Sequence, residues 1–305
     1  MSIAPYLKEL GRGKDGARPL NREQAFDLMS RLLDGQLSEL EIGGFAIAMR
    51  IKGETAQELA GFMDAVVMRG LPLPQADRPI VLPSYNGARK LPNFTPLLAM
   101  LLAREGVPVL THGLLQDPKR VTTAAIFAEM GLPALADAPS VARQWQQEQP
   151  VFMALLDWHP ALARLLAVRD VLGLRNSGHT LAKLLPLGDR SLRVVNHTHP
   201  EYAVSLGEFL AQSNANALLL RGTEGEPVAD ARRCPKLTAF VGGKLRESLS
   251  HEAQSGSLNH LPELPGGIDA VSTARHIEAM LAGNVPVPVP VLQQVQVLLR
   301  LRSEL

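Results

Sequence analysis

A chain of 305 residues, 46% apolar and 20% charged, has the composition of a globular protein with a sizeable core in one large domain or two unequal ones. Its formal net charge of +1 neither demands nor excludes an anionic partner, because local clustering of charge matters more than the sum. The single cysteine, Cys234, excludes an internal disulfide and fits a reducing compartment. The N-terminal stretch lacks the order of a signal peptide, and no window reaches the ~20 apolar residues of a membrane span, so the expected location is the cytoplasm.

The first seventy residues read as helices. Asn21 can cap a helix with apolar positions Phe26, Met29, Leu32 and Leu33, with Gly35 just past its end. Ser38 with Glu41, and Thr55 with Glu58, have the spacing of capping boxes that open two more helices, the last ending at Gly70. Leu71-Pro72-Leu73-Pro74 is a stiff linker. Beyond it, short apolar runs alternate with helical periods: 80–82, a helix near 95–105, 107–110, a helix near 122–130, then 151–154. Further runs follow at 193–196, 217–220 and 237–241, and the stretch 160–186 is helical again around Gly173. Alternating prolines at 286–290 lead to a last helix near 291–302. Buried runs between helices predict an α/β fold: a small all-helical domain plus a larger α/β domain with a mostly parallel central sheet. The expected division is 1–74, with 159–186 packing on it, against 75–158 and 187–305.

Basic residues cluster in loops and at element ends, where a phosphate backbone could run past them. Arg12, Lys14 and Arg18 lie in a glycine-rich start, Arg89 and Lys90 follow a strand, Lys119 and Arg120 precede a helix, and Arg175, His179 and Lys183 would share one helical face. Each has a plainer reading. Arg-Lys pairs in loops are usually solvated surface, and Arg175 and Lys183 could pair with Asp170 and Asp189. His179 could be a structural hydrogen-bonder, and Tyr85 could stack on a base or simply pack. His197, His199 and Glu201 suggest a metal trio, but no further ligand is spaced nearby, so capping or packing around Pro200 is the plainer alternative. Cys234 has no identifiable base. No nucleophile elbow or dinucleotide fingerprint is present, and the chain is expected to have no catalytic residues, metal or cofactor.

Ordered stretches resemble anthranilate phosphoribosyltransferase, on the glycosyltransferase family 3 scaffold. Residues 44–55 are similar to its N-terminal helices, and Gly106 to Gly113 to its strand ending in Lys-His-Gly. Asn93-Phe94-Thr95 is similar to its Asn-x-Ser/Thr, and His159-Pro160 through Arg175 and on to Leu187 to its His-Pro to Gly-Pro-Leu run. Gly222-Thr223-Glu224-Gly225 resembles its Gly-x-Asp-Gly. The departures fall on the chemistry. Pro83-Ser84-Tyr85-Asn86-Gly87-Ala88-Arg89-Lys90 replaces the Gly-Thr-Gly-Gly-Asp pyrophosphate loop, and Thr111 replaces the lysine before His112-Gly113. Leu114 to Arg120 replaces a serine-rich stretch, and Glu226-Pro227-Val228 keeps one of two magnesium carboxylates. Residues 83–90, with 11–18, 117–121, 175–183 and 199–202, resemble the anthranilate-phosphoribosyltransferase-like nucleic-acid-binding proteins on this scaffold. That resemblance implies a homodimer, formed through the helical domain, that contacts DNA or RNA phosphates without reading sequence. The rival expectations are a phosphoribosyltransferase or phosphorylase of altered specificity, and a scaffold for another protein.

Overall fold

The computed structural model describes residues 2–13, 15–257 and 261–305. In chain order the elements are α1 (Ala4–Leu10), α2 (Arg22–Leu33), α3 (Glu39–Lys52), α4 (Ala56–Val67), β1 (Ile80–Ser84), α5 (Thr95–Arg104), β2 (Val109–Gly113), α6 (Thr123–Glu129), α7 (Ala138–Gln146) and β3 (Val151–Ala154). There follow α8 (Leu155–Trp158), α9 (Pro160–Leu172), α10 (Ser177–Leu184), β4 (Leu192–His197), α11 (Pro200–Gln212), β5 (Asn216–Arg221), β6 (Leu237–Val241), β7 (Lys244–Leu245), α12 (Ala270–Leu281) and α13 (Val289–Ser303). The chain divides into two compact units: Met1–Leu71 with Leu155–Leu185, and Pro72–Ala154 with Pro186–Leu305.

The helical unit holds α1–α4 and α8–α10. Its helices begin where the sequence supplies caps. Asn21, Ser38 and Thr55 each accept the backbone N–H three residues on, and Gln24, Glu41 and Glu58 return the contact. Glu58 does more than cap. It is fully buried, pairs with Lys52 Nζ at 2.6 Å and accepts the Leu20 amide at 3.0 Å, so one carboxylate ties three segments together. Phe45 and Phe62 meet edge-on at 5.8 Å in this unit's core.

The other unit is built on a seven-stranded sheet in the order β3-β2-β1-β4-β5-β6-β7. β1 to β5 run parallel, and β6 and β7 are antiparallel. β1, β2 and β3 are buried at every position, as the unbroken apolar runs require of strands covered on both faces. Leu97, Leu98 and Leu102 of α5, Phe127 of α6, Ile277 of α12 and Leu298 of α13 pack with Ile80, Leu82, Val109, Phe152, Val194 and Leu218 of the strands in one core. Sequence reading had β2 two residues early, because Pro108 sits inside the apolar run. α7, α11, α12 and the two-residue β7 lie where the sequence pattern predicts no element. The connections reverse direction between β1 and β4, so the carboxyl ends of these strands form the usual place for a ligand in an open α/β sheet.

Candidate anion-binding site at the strand ends

The loop after β1 is shaped by two glutamates from the loop after β5. Glu226 is fully buried; its Oε1 accepts the backbone amides of Asn86 at 3.0 Å and Gly87 at 2.7 Å. Its Oε2 contacts the hydroxyls of Ser84, Thr95 and Thr123, with Asn93 Nδ2 at 3.5 Å. Ser84 and Thr123 are themselves 2.6 Å apart, and Asn93 accepts the Thr95 amide to open α5. Burial pushes the Glu226 carboxyl above its ordinary value and outweighs the Ser84 hydroxyl and the Gly87 and Asn86 amides, which pull it down. Glycine is required where the loops touch. Gly225 has φ +89°, and an added Cβ would lie 2.7 Å from Asn86 Nδ2, whose amide donates to the Gly225 carbonyl.

Glu224 holds the next stretch of the same loop. Its Oε2 accepts the amides of Arg89 at 2.7 Å, Lys90 at 2.9 Å and Leu91 at 3.3 Å. The residue itself sits in the left-handed region, at φ 53° and ψ 19°. That is unfavourable for a side chain of this kind by about 1 kcal/mol or more, and its neighbours hold it there. Partial burial works against the charged carboxylate. The Lys90, Arg89 and Leu91 amides, and then the Arg120 guanidinium, outweigh it and hold Glu224 below the usual carboxylate range.

The two basic loops of this unit come together. Ala88 and Val121 exchange backbone hydrogen bonds at 2.9 and 2.8 Å, and Arg120 Nη1 donates to the Gly87 carbonyl at 3.0 Å. Arg89, Lys90, Lys119 and Arg120 therefore line one edge, the first three exposed and Arg120 half-buried. Among the described residues, none takes a hydrogen bond or ion pair from the Arg89, Lys90 or Lys119 side chains. Tyr85, read as either a stacking or a packing residue, is 4% exposed and packs.

The helical unit treats its cations differently. Arg12 pairs with Glu9 at 2.6 Å, and Arg18 lies 4.0 Å from the same carboxylate; Lys14 lies outside the described residues. Arg175 precedes the Asn176 cap of α10, and His179 completes that capping box by accepting the Asn176 amide at 3.3 Å. His179 is buried, and its pKa falls to about 3, first through burial and then through Arg175 and Arg169. Its burial and its contact with the Asn176 amide fit the structural reading of His179 and work against a charged imidazole there. Lys183, half-buried, is lowered to about 8 by burial and by Arg175, against the pull of Glu54. Glu54 also accepts the Ser177 hydroxyl at 2.6 Å.

Other candidates resolve into plain roles. Cys234 is 1% exposed, and burial raises its thiol to about 11, so it is an unreactive core residue. His197 contacts the His199 carbonyl at 3.2 Å and His199 stands at the cap of α11, and among the described residues no three potential ligands converge on a metal position. Nor is any described helix long and apolar enough to cross a membrane. The roles of Glu224 and Glu226 as loop anchors are absent from the sequence reading. Glu226 registered there only as a surviving metal carboxylate, and nothing local in the sequence shows that it faces a loop 140 residues away.

Comparison with known proteins places this geometry. Residues 4–70 match the model of the glycosyl transferase family helical bundle domain. Anthranilate phosphoribosyltransferase of Thermus thermophilus superposes with a TM-score of 0.73 at 20% identity, covering 98% of this chain and 95% of that one. The fold is thus that of the anthranilate phosphoribosyltransferases. In sequence, the anthranilate phosphoribosyltransferase of Methanopyrus kandleri is 28% identical over 94% of this chain and 85% of its own length. The Escherichia coli K12 protein YbiB, described as uncharacterized, is 41% identical over 293 residues, 94% of this chain and 90% of the relative. At that identity and coverage, the chain belongs to the family of YbiB.

Proposed function

We propose that the protein binds nucleic acid through its phosphate backbone, without sequence preference, using the basic edge of the α/β unit. The observation that carries this reading is the fate of the loop after β1. Its amides at Asn86 and Gly87 are taken by a buried glutamate of the same chain, while its cations, Arg89 and Lys90, face outward beside Lys119 and Arg120. A pyrophosphate would have to displace Glu226 from a closed, fully buried set of partners. A polyanion passing over the surface meets cations that the described protein groups leave exposed, which suits backbone contact and not base reading. Arg12, Arg18, Arg175 and Lys183 of the helical unit are secondary contacts in this reading, and His179 is not one.

The partner set includes a second copy of the chain. α3 exposes Leu40, Ile47 and Ile51 at spacings that put them on one face, with Leu40 86% exposed. A homodimer through this face of the helical unit would cover them. Light scattering of Leu40→Glu/Ile51→Glu against the wild type checks it, with a halved mass expected for the variant and equal masses counting against it.

The experiment for binding is fluorescence anisotropy of two unrelated oligonucleotides, single- and double-stranded, at low and moderate salt. Similar affinities for both sequences, falling by about 0.9 in log K per unit of log salt for each duplex phosphate contacted, are expected. No binding at low salt would overturn the reading. A second reading, phosphoribosyl transfer of altered specificity, is favoured by the similarity to the Methanopyrus enzyme and by the presence of Asn93, Thr95, His112 and Arg175. Turnover of phosphoribosyl pyrophosphate with magnesium would support it.

A further inference from the structure

The two glutamates hold the same loop in different ways. Glu226 is fully buried and meets six groups, so nothing can replace it without opening the core. Glu224 is only partly buried, and its hold consists of three consecutive amides converging on one oxygen. Three successive N–H groups turned to one point form a nest for a single oxyanion. The nest lies on the exposed basic edge, flanked by Arg89, Lys90 and Arg120. Its occupant stands on left-handed backbone, a conformation that a glutamate keeps only under constraint. The loop is thus already shaped around a negative charge, and the charge in it belongs to a side chain that can swing into solvent.

We propose that the Arg89, Lys90 and Leu91 amides form a subsite for one phosphate group, and that Glu224 is its built-in occupant, displaced when a phosphate arrives. The subsite deepens the nucleic-acid reading and rests on it for the carrier of that phosphate, a phosphodiester of the bound strand. A free phosphate ester has the same chemistry at this nest. Charge is conserved in the exchange: one oxyanion leaves the amides as another takes them, and the Arg120 guanidinium faces a negative group throughout. The competition lowers the apparent affinity for nucleic acid and makes the nest selective for groups that accept several hydrogen bonds at once.

The test compares wild type with Glu224→Ala and Glu224→Asp. The aspartate keeps the charge but is one methylene too short to span the amides. Thermal melting of all three first confirms that the variants fold. Anisotropy with the two oligonucleotides at 50 mM salt is expected to show tighter binding by about tenfold for Glu224→Ala, from removal of the intramolecular competitor. Glu224→Asp is expected to bind several-fold more tightly than wild type. In parallel, ¹⁵N-labelled protein is titrated with inorganic phosphate against chloride at matched ionic strength, and the amide signals of Arg89, Lys90 and Leu91 should move at lower phosphate concentration in Glu224→Ala. If oligonucleotides bind wild type but neither variant gains affinity and those amides ignore phosphate, the subsite is overturned while the nucleic-acid reading stands. A gain for Glu224→Ala with none for Glu224→Asp, and no amide shifts, assigns the effect to bulk charge and also overturns it. If phosphate moves the amides while no oligonucleotide binds any form, the subsite stands and the nucleic-acid reading falls, leaving a small phosphate-bearing ligand.

Discussion

Arg89, Lys90, Lys119 and Arg120 stand on strand-end loops of the α/β unit, whereas Arg175, His179 and Lys183 are spread along α10 of the helical unit, from just before its cap to its last turn. In the first group the charges point outward and the loops beneath are pinned by backbone pairing and by two glutamates. In the second, proximity and burial work against charge: the histidine is neutral and the lysine is pushed to about 8. Clusters of basic residues thus yield one edge that keeps its cations in water and one group that gives part of its charge up. What separates them is whether a largely buried helix or a solvent-facing loop carries them.

The largest expected effect is on the anchoring of the first group. Glu226→Ala removes the buried acceptor of the Asn86 and Gly87 amides and one contact of the Ser84 hydroxyl, and is expected to cost about 3 kcal/mol of stability in urea unfolding. A loss below about 0.5 kcal/mol would mean that the loop is held by other contacts. Glu226→Gln adds a pH test. The folded carboxyl titrates above its unfolded value, so its contribution is complete below about pH 4.3 and declines as pH rises toward the folded value. Wild type should therefore lose stability relative to Glu226→Gln as pH rises above about 4.3. Parallel curves would show that the amides win over burial.

Next in size is charge reversal on the exposed edge. Arg89→Glu/Lys90→Glu is expected to weaken oligonucleotide binding by about 30-fold or more at low salt, to the same degree for unrelated sequences, and to reduce the salt slope by nearly 2. Melting should be nearly unchanged, because both side chains are exposed. Loss for one sequence only would break the backbone-contact picture.

Smaller still is the effect at His179. His179→Ala removes half of the α10 capping box and should cost about 1 kcal/mol, while His179→Gln, which can return the same contact to Asn176, should recover most of it. Neither should change oligonucleotide affinity. A loss of affinity in a well-folded His179→Gln would restore the imidazole as a ligand contact.

How far the sequence reaches follows the range of the forces involved. The caps at Asn21, Ser38 and Thr55 and the apolar runs of β1 and β3 depend on neighbours within a few residues, and the structure has them where the pattern put them. The Glu41 and Glu58 partners were equally legible, because a capping box is local. Glu224 and Glu226 meet their loop across more than 130 residues, and no spacing rule connects Gly87 with Glu226. His179 was ambiguous for a related reason. Its position three residues after Asn176 fits a box, but only burial decides between cap and cation. The family resemblance supplied the fold but marked the substituted loop only as altered; that its amides are filled from within came from the three-dimensional arrangement.

The smallest expected effect bears most directly on the comparison between the two clusters. Lys183 is lowered to about 8 by burial and by Arg175, with Glu54 opposing, so between pH 7 and pH 9 it passes from mostly charged to mostly neutral. A folded lysine value below the unfolded one, about 10.4, means that the folded protein holds fewer protons than the unfolded chain between those values. Stability should therefore rise modestly from about pH 8 to pH 10, and Lys183→Met should flatten that rise. The binding consequence has the opposite sign. If the α10 cluster touches phosphate, affinity should fall about twofold from pH 7 to pH 9 in wild type and hold constant in Lys183→Arg, whose guanidinium stays charged. If affinity is flat in both, the α10 cluster contributes nothing to binding, and the contact belongs to the edge lined by Arg89, Lys90, Lys119 and Arg120.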